Sequence, residues 1–470
     1  MISVQNHLQL LNGNKLLAVL SILLLSCSAS KPAINPSKTQ IVKTSGKEPV
    51  TKRDTTDVPE VKKDTKVAGD DKTKVDTIRW KDASDKYPAI VLSDRKAGST
   101  RSGNFKDMYN VKLLIPLNSD EIGDPGTSRF TYFYAGVLLA LDELNQEGVR
   151  LNIEVIDTEE SGYNIDSLID KIAGKDTDLI IGPFDRDDIK KLTDICKERE
   201  IVLVSPWYTS SKLTTKNPYY LQMSPNLKEH YLKLVRHAVQ SYKPKEVTIL
   251  IRGSKDMPWV DYFEGEAKKL NNGKEFFNTY TVNTDSLRLG PTAFFNMFKT
   301  QNIKAVVLPN YSYNDEHYIY SCLRRLSAEI GTRSLSVLGM PIVYDSDKVE
   351  FDYYRTLQMK VVMADYVDEN YGKIREFRRK FLDTYGEIPT VEAVRGHDLI
   401  LFLGRNLKQY GRMFQENATY DSLGYLQSIY DIRKSVSDDS SGSSDPDYFD
   451  YYENKHLDII EFRGNKWIKH

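Results

Sequence analysis

The most reactive side chains in this 470-residue chain are three cysteines and seven histidines. Cys196 and Cys322 each fall in a predicted helix, in separate parts of the chain, and read as isolated buried thiols rather than a pair. His7, His230, His237, His317, His397, His456 and His470 are scattered. His230 and His237 share one side of a helix, but helical metal pairs usually stand one turn apart, so this reads as a solvated face. The chain contains no Gly-x-x-x-x-Gly-Lys-Ser/Thr, Gly-x-Gly-x-x-Gly, His-Glu-x-x-His, Gly-x-Ser-x-Gly or paired Cys-x-x-Cys. Nothing in it calls for a cofactor, a metal or nucleophilic catalysis, and the expectation is a binding protein rather than an enzyme.

Cys27 stands apart. Lys15 precedes the apolar run Leu16–Leu25, followed by Ser26 and Cys27. A run of about ten residues is too short to cross a bilayer as a helix. A basic residue, a short apolar core and a small residue before the break make a signal peptide over residues 1–26. Leu24-Leu25-Ser26-Cys27 resembles the bacterial lipobox. That resemblance implies a lipoprotein: cleavage before Cys27, acyl chains such as palmitate on its sulfur and its new amine, and stable anchoring because several chains act together. Ser28, where a retention signal would carry Asp, resembles outer-membrane sorting and implies a cell-envelope protein facing the periplasm.

Residues 27–109 read as a lipidated start, a disordered tether and a lead-in. Lys31-Pro32, Asn35-Pro36, Lys52-Arg53-Asp54, Lys62-Lys63-Asp64 and Asp70-Asp71-Lys72 interleave charges with few apolar residues. Such sequence buries too little apolar surface to offset ordering entropy. About 60 residues of it would span roughly 40–45 Å as a flexible coil. With a formal net charge of −1, no single-sign tail or patch points to nucleic acid.

From residue 110 the pattern changes. Val111–Leu117, Asn152–Ile156, Asp178–Gly182 and Ile201–Val204 are short apolar runs, and Phe130–Leu144, Ile165–Ile172 and Ile189–Arg199 between them carry helical spacing. Most of these runs are continuous rather than alternating, as a parallel sheet covered on both faces requires. The alternation restarts with a helix at Leu227–Tyr242, strands at Val247–Ile251, Asn278–Val282, Ala305–Leu308 and Leu335–Leu338, and intervening helices at 262–270, 291–299 and 318–330. Helices at 374–385 and 394–407 follow. Gly464-Asn465, between Leu457–Phe462 and Lys466–Lys469, marks a tight hairpin. Ser437–Pro446 reads as a solvated acidic loop. The fold class expected from this alternation is α/β: two Rossmann-like lobes with parallel sheets.

In order, these stretches resemble the type I periplasmic-binding-protein superfamily, especially its leucine/isoleucine/valine-binding branch. The resemblance rests on Val111–Leu117, on Phe133–Asn145 with the small Gly136, on Ile153–Thr158, on Ile180-Ile181-Gly182-Pro183 and on Val204-Ser205-Pro206. It continues in Tyr385-Gly386-Glu387-Ile388-Pro389 and in Gly396-His397-Asp398, where His replaces the family's Tyr. It implies one lobe over about 110–224 and 366–428, a second over about 225–365 and 429–470, and crossings near 222–226, 364–367 and 425–435. In amino-acid-binding members a serine follows Gly-Pro. Here Phe184-Asp185-Arg186-Asp187 stands instead, and Leu221-Gln222-Met223 replaces the family's Phe-Arg-Thr, departures that argue against a branched-chain amino-acid site.

Ligands in open parallel sheets meet the carboxyl ends of the strands. That rule selects Asn118 and Ser119; Phe184, Asp185 and Arg186; and Ser205, Trp207, Tyr208 and Thr209. Across the cleft it selects Arg252, Ser254, Asn310 and Tyr311. Helix capping is an alternative use for Asp185 and Asp187. The expected partner is a small polar molecule (an amino acid, a peptide or a wall fragment) captured for an importer or sensor, with the membrane engaged through the lipid anchor. The alternative is a protein–protein regulator acting on a cell-wall synthase.

Overall fold

The structure, a computed structural model, describes residues 2–4, 105–118, 128–289, 292–438, 440, 445 and 447–470. Cys27, the expected tether up to residue 104, Ser119 and most of the acidic loop lie outside the described residues, as does the expected signal peptide apart from residues 2–4. Among the described residues no helix is long and apolar enough to cross a membrane.

The first alternating set folds as expected. After a three-residue strand β1 (Ile2–Val4), it runs β2 (Tyr109–Ile115), α1 (Ser128–Gln146), β3 (Leu151–Asp157), α2 (Ile165–Ile172), β4 (Leu179–Ile181), α3 (Arg186–Arg199), β5 (Val202–Ser205) and β6 (Tyr220–Gln222). The second set is α4 (Leu227–Ser241), β7 (Val247–Ile251), α5 (Met257–Leu270), β8 (Phe277–Thr281), α6 (Thr284–Leu289), α7 (Phe295–Thr300), β9 (Ala305–Leu308), α8 (Glu316–Glu329), β10 (Ser336–Gly339), α9 (Ile342–Asp345), α10 (Phe351–Thr356) and β11 (Lys360–Met363). The chain then returns to the first lobe for α11 (Gly372–Tyr385), α12 (Val391–Tyr410), β12 (Tyr420–Asp421), β13 (Tyr430–Ser435) and β14 (Tyr451–Asn454). It ends in the second lobe with β15 (Asp458–Arg463) and β16 (Lys466–Lys469).

The first sheet has the order β1-β3-β2-β4-β5-β6-β14-β13-β12 and the second β16-β15-β11-β10-β9-β7-β8. Strands β3 to β14 of the first and β11 to β8 of the second are mutually parallel, and the outer strands are antiparallel. The apolar runs are buried on both faces. Leu113 and Ile115 point into one layer of core, while Leu114 and Ile180 point into the layer under α2 and α3. The terminal hairpin forms where Gly464 and Asn465 announce it: both have positive φ, at 59° and 62°, as a type I′ turn requires.

The return to the second lobe comes later than the expected residue 429. Strands β13 and β14 extend the first sheet, because Tyr430, Ile432 and Tyr452 bury themselves in the first lobe's core. The third crossing is therefore 455–457, beyond the expected 425–435. It is tied to the first crossing by the buried carboxylate of Glu453, which accepts the Asn226 backbone N–H at 2.7 Å and the Lys455 ammonium at 2.6 Å. Lys455 also reaches Glu229, at the start of α4, at 2.7 Å.

The small Gly136 of the resemblance implies close packing of α1 on the sheet. Instead it brings α1 against α12. A Cβ on Gly136 would lie 1.9 Å from the Ala393 carbonyl oxygen, and one on Gly396 would lie 2.1 Å from that of Phe133. The rest of the Gly396-His397-Asp398 motif is also structural. His397 sits between Glu143 of α1 and Asp398, at 3.1 Å from each. Asp398 is buried and accepts the backbone N–H groups of Leu426, Gln427 and Ser428 at 2.8–3.0 Å. Burial disfavours a charged imidazole, but the two carboxylates outweigh it and hold His397 above its ordinary pKa.

Candidate functional site

Strands β2, β3, β4 and β5 end on one edge of the first sheet, and their loops are fixed from beneath. Gly182 turns with φ +86°, and a Cβ there would meet the Leu114 carbonyl oxygen at 2.2 Å, so only glycine lets β4 leave the sheet this close to β2. Asp157 gathers the backbone N–H groups of Leu117, Asn118 and Glu159 at 2.9–3.2 Å, binding the β2 and β3 loops together. Asn118 is a left-handed turn residue with φ 49°. Ser205 is buried and donates to the Tyr208 carbonyl at 3.0 Å, which shapes the β5 loop.

Above this edge opens a cavity of about 720 Å3, lined wholly by first-lobe residues. The loop into α3 and its first turns supply Phe184, Asp185, Arg186, Asp188 and Lys191. The loop into α2 and its first turn supply Thr158, Glu159, Tyr163, Asn164 and Asp166. Tyr208 and Pro116 close it. Both helix starts are capped from within the chain. Asp185 accepts the N–H groups of Asp187 and Asp188 at 2.8 and 3.0 Å. Asn164 accepts those of Asp166 and Ser167 at 2.9 and 3.3 Å. The Tyr163 hydroxyl donates to Asp188 at 3.0 Å, and Lys191 pairs with Asp166 at 2.8 Å. Burial, with the nearby charge of Asp185, raises the Asp188 carboxyl above its ordinary range, and burial beside Asp188 raises the Tyr163 phenol.

Behind Phe184 lies an aromatic stack. The Trp207 ring sits 4.8 Å from Phe133, 5.2 Å from Phe130 and 6.2 Å from Phe184, and the Arg129 guanidinium lies 4.7 Å over the Phe184 ring. Trp207 is thus the support for Phe184 and does not line the cavity. Thr209 is exposed to one side.

The second-lobe candidates gather elsewhere. Arg252 is paired with Asp256 at 3.2 Å and with Asp315, and its own N–H donates to Asp256 at 2.8 Å. Asn310 is buried and donates to Asp315 at 2.9 Å. This cluster satisfies its own polar groups. Ser254 opens a short 3-10 turn, Tyr311 stands 49% exposed, and none of the four lines the cavity.

Of the sequence candidates, then, the structure brings Phe184, Asp185, Arg186 and Tyr208 to one space. Strand-end reasoning did not select Thr158, although it follows β3 directly. It could not select Tyr163, Asp188 or Lys191, which arrive through the pairing of two helix starts. Among the described residues no group of three or more His, Cys, Asp or Glu is placed to hold a metal ion.

A family model described as the receptor family ligand binding region matches residues 134–276, a stretch that enters both lobes. A putative branched-chain amino acid ABC transporter from Rhodospirillum rubrum aligns at 13% identity and TM-score 0.55, over 77% of this chain and 99% of that one. An ABC transporter substrate-binding protein from Desulfitobacterium hafniense aligns at 14% identity and TM-score 0.50, over 77% and 100%. The C-domain of LpoA from Haemophilus influenzae, a regulator of PBP1A, aligns at 9% identity and TM-score 0.48, over 77% and 99%. No curated protein sequence matches the chain. The chain has the type I periplasmic-binding-protein fold, with both lobes and the multi-crossing hinge. At identities of this size the alignments at TM-scores of 0.55 and 0.50 show the fold alone.

Proposed function

We propose that this protein is a non-catalytic receptor of the cell envelope, anchored through acyl chains on Cys27 and binding a small polar molecule at the carboxyl edge of its first lobe. The observation that carries this reading is the cavity of about 720 Å3 where four strand ends and two helix starts converge. Its lining mixes aromatic faces, hydroxyls and charges, as small-molecule sites do. Thermal-shift screening of the full-length protein against amino acids, amines, peptides and wall fragments tests it. A compound at tenfold excess over its Kd should add about 1.4 kcal/mol of stability, and Phe184→Ala with Tyr208→Ala should abolish the shift. Shifts that survive that double substitution would place binding outside the cavity. Acylation is tested separately, by mass spectrometry of the mature N-terminus and by release of a Cys27→Ser variant from membranes.

A second reading, regulation of a cell-wall synthase by direct contact, draws on the second lobe. Beyond the closed Arg252 cluster, Tyr311 and Tyr313 stand 49% and 68% exposed on the same loop. Exposed tyrosines suit a protein partner. Capture of a membrane-bound peptidoglycan synthase that is lost on Tyr311→Ala/Tyr313→Ala would favour it.

A further inference from the structure

The cavity in the first lobe has a polarity that discriminates among small polar molecules. Resting on the reading of this space as a binding site, we infer that its ligand carries an amine and no free carboxylate.

Two features of the wall disfavour a carboxylate. The backbone N–H groups at the starts of α2 and α3 would ordinarily attract an anion, but Asn164 and Asp185 already accept four of them, those of Asp166, Ser167, Asp187 and Asp188. An incoming carboxylate would have to displace a side chain of the protein's own to reach them. The charged residues also lean the wrong way for an anion. Lys191 is matched by Asp166, which leaves Arg186 against the carboxylates of Glu159, Asp185 and Asp188, none of which is in an ion pair among the described residues.

The same wall suits an ammonium group. Tyr163 and Tyr208 line the space together with those carboxylates, while the Phe184 ring already carries the Arg129 guanidinium. A cation is drawn to the face of an aromatic ring and donates to a carboxylate, and the two attractions work together when the groups share one wall. The direction of the Asp188 shift agrees. Burial and Asp185 raise its carboxyl, and they outweigh the Tyr163 hydrogen bond and the nearby Lys191 ammonium that lower it.

The test is a matched set of ligands titrated calorimetrically into the full-length protein. Leucine and leucinamide share one body and differ in the carboxylate, and cadaverine offers amines alone. The protein variant is Asp185→Asn/Asp188→Asn. Both asparagines keep an acceptor oxygen, so the α3 cap and the Tyr163 bond survive, and a melting temperature no lower than that of the wild type confirms that the fold does too. The expected result is that leucinamide and cadaverine bind, that leucine binds at least about tenfold more weakly, and that the double variant loses about tenfold in amine affinity. The inference is overturned if leucine binds as tightly as leucinamide, if neither amine binds, or if amine affinity is indifferent to the double substitution. In those cases a carboxylate-bearing compound whose binding is lost in Phe184→Ala/Tyr208→Ala would leave the cavity reading standing. Binding of every compound unaffected by Phe184→Ala/Tyr208→Ala would remove that reading as well.

Discussion

The carboxyl edges of the two sheets are built from the same strand–loop–helix unit and have opposite polar economies. In the second lobe, Arg252 is clasped by Asp256 and Asp315, and Asn310 fills the remaining valence of Asp315, so the edge closes on itself. In the first lobe, the polar groups divide into two sets. Asp157, Asn164 and the inner oxygen of Asp185 hold the loops, while Glu159, Arg186 and Asp188 face an open space. Position at a strand end therefore does not make a site. What distinguishes the proposed site is polar capacity left over after the local backbone has been satisfied.

The largest expected effect comes from below the first edge. Helix α1 carries Phe130 and Phe133 under Trp207, and it is seated by the glycine contacts with α12. Gly396→Ala would drive a methyl group into the Phe133 carbonyl. We expect a loss of about 3 kcal/mol in urea unfolding, with ligand affinity falling as the stack beneath Phe184 shifts. Next in size is Arg252→Ala, which leaves two carboxylates facing each other. It should cost about 2 kcal/mol yet leave binding at the first edge unchanged within error. A matching loss of affinity would mean that the second edge is part of the site after all.

Smaller effects sharpen the division of labour within the first edge. Asp185→Ala removes the cap of α3 and should cost about 1 kcal/mol, whereas Asp185→Asn should cost almost nothing. Both should change ligand preference, because both remove the charge. The smallest expected effect is one of pH. Asp188 has a raised carboxyl pKa in the folded protein, so the fold holds that proton more tightly than the unfolded chain does. Stability from this group is full below the ordinary carboxyl value and falls as pH rises through the folded one. Asp188→Asn should accordingly raise the melting temperature slightly at pH 7 relative to wild type, with the gain vanishing toward pH 4. A variant less stable than wild type at pH 7 would show that the carboxylate is a structural partner and not a poised one.

Much of the framework was legible because a parallel sheet buried on both faces demands continuous apolar runs, and Leu179–Ile181, Val247–Ile251 and Ala305–Leu308 are such runs. Strands β13 and β14 were not legible. Asp431, Arg433, Lys434 and Glu453 interrupt any apolar pattern, and these segments become strands because Tyr430 finds Phe402 at 4.2 Å and Glu453 finds Asn226 and Lys455. Phe402 and Asn226 are distant in sequence from the residues they meet. The site divides in the same way. Residues directly after a strand, such as Phe184 and Tyr208, follow from local rules. Tyr163 and Asp188 join the site because two helices start side by side. In the second lobe, the spacing of Arg252 and Asp256 along one turn already offered an internal partner for the arginine, and the strand-end rule overlooked it.

The most direct test of the contrast between the two edges is hydrogen–deuterium exchange of the full-length protein, with and without the screened compound that gives the largest thermal shift. Binding at the first edge predicts slowed exchange in residues 158–166 and 184–191, with residues 252–259 and 310–318 unaffected. Protection confined to the second pair of segments would contradict it.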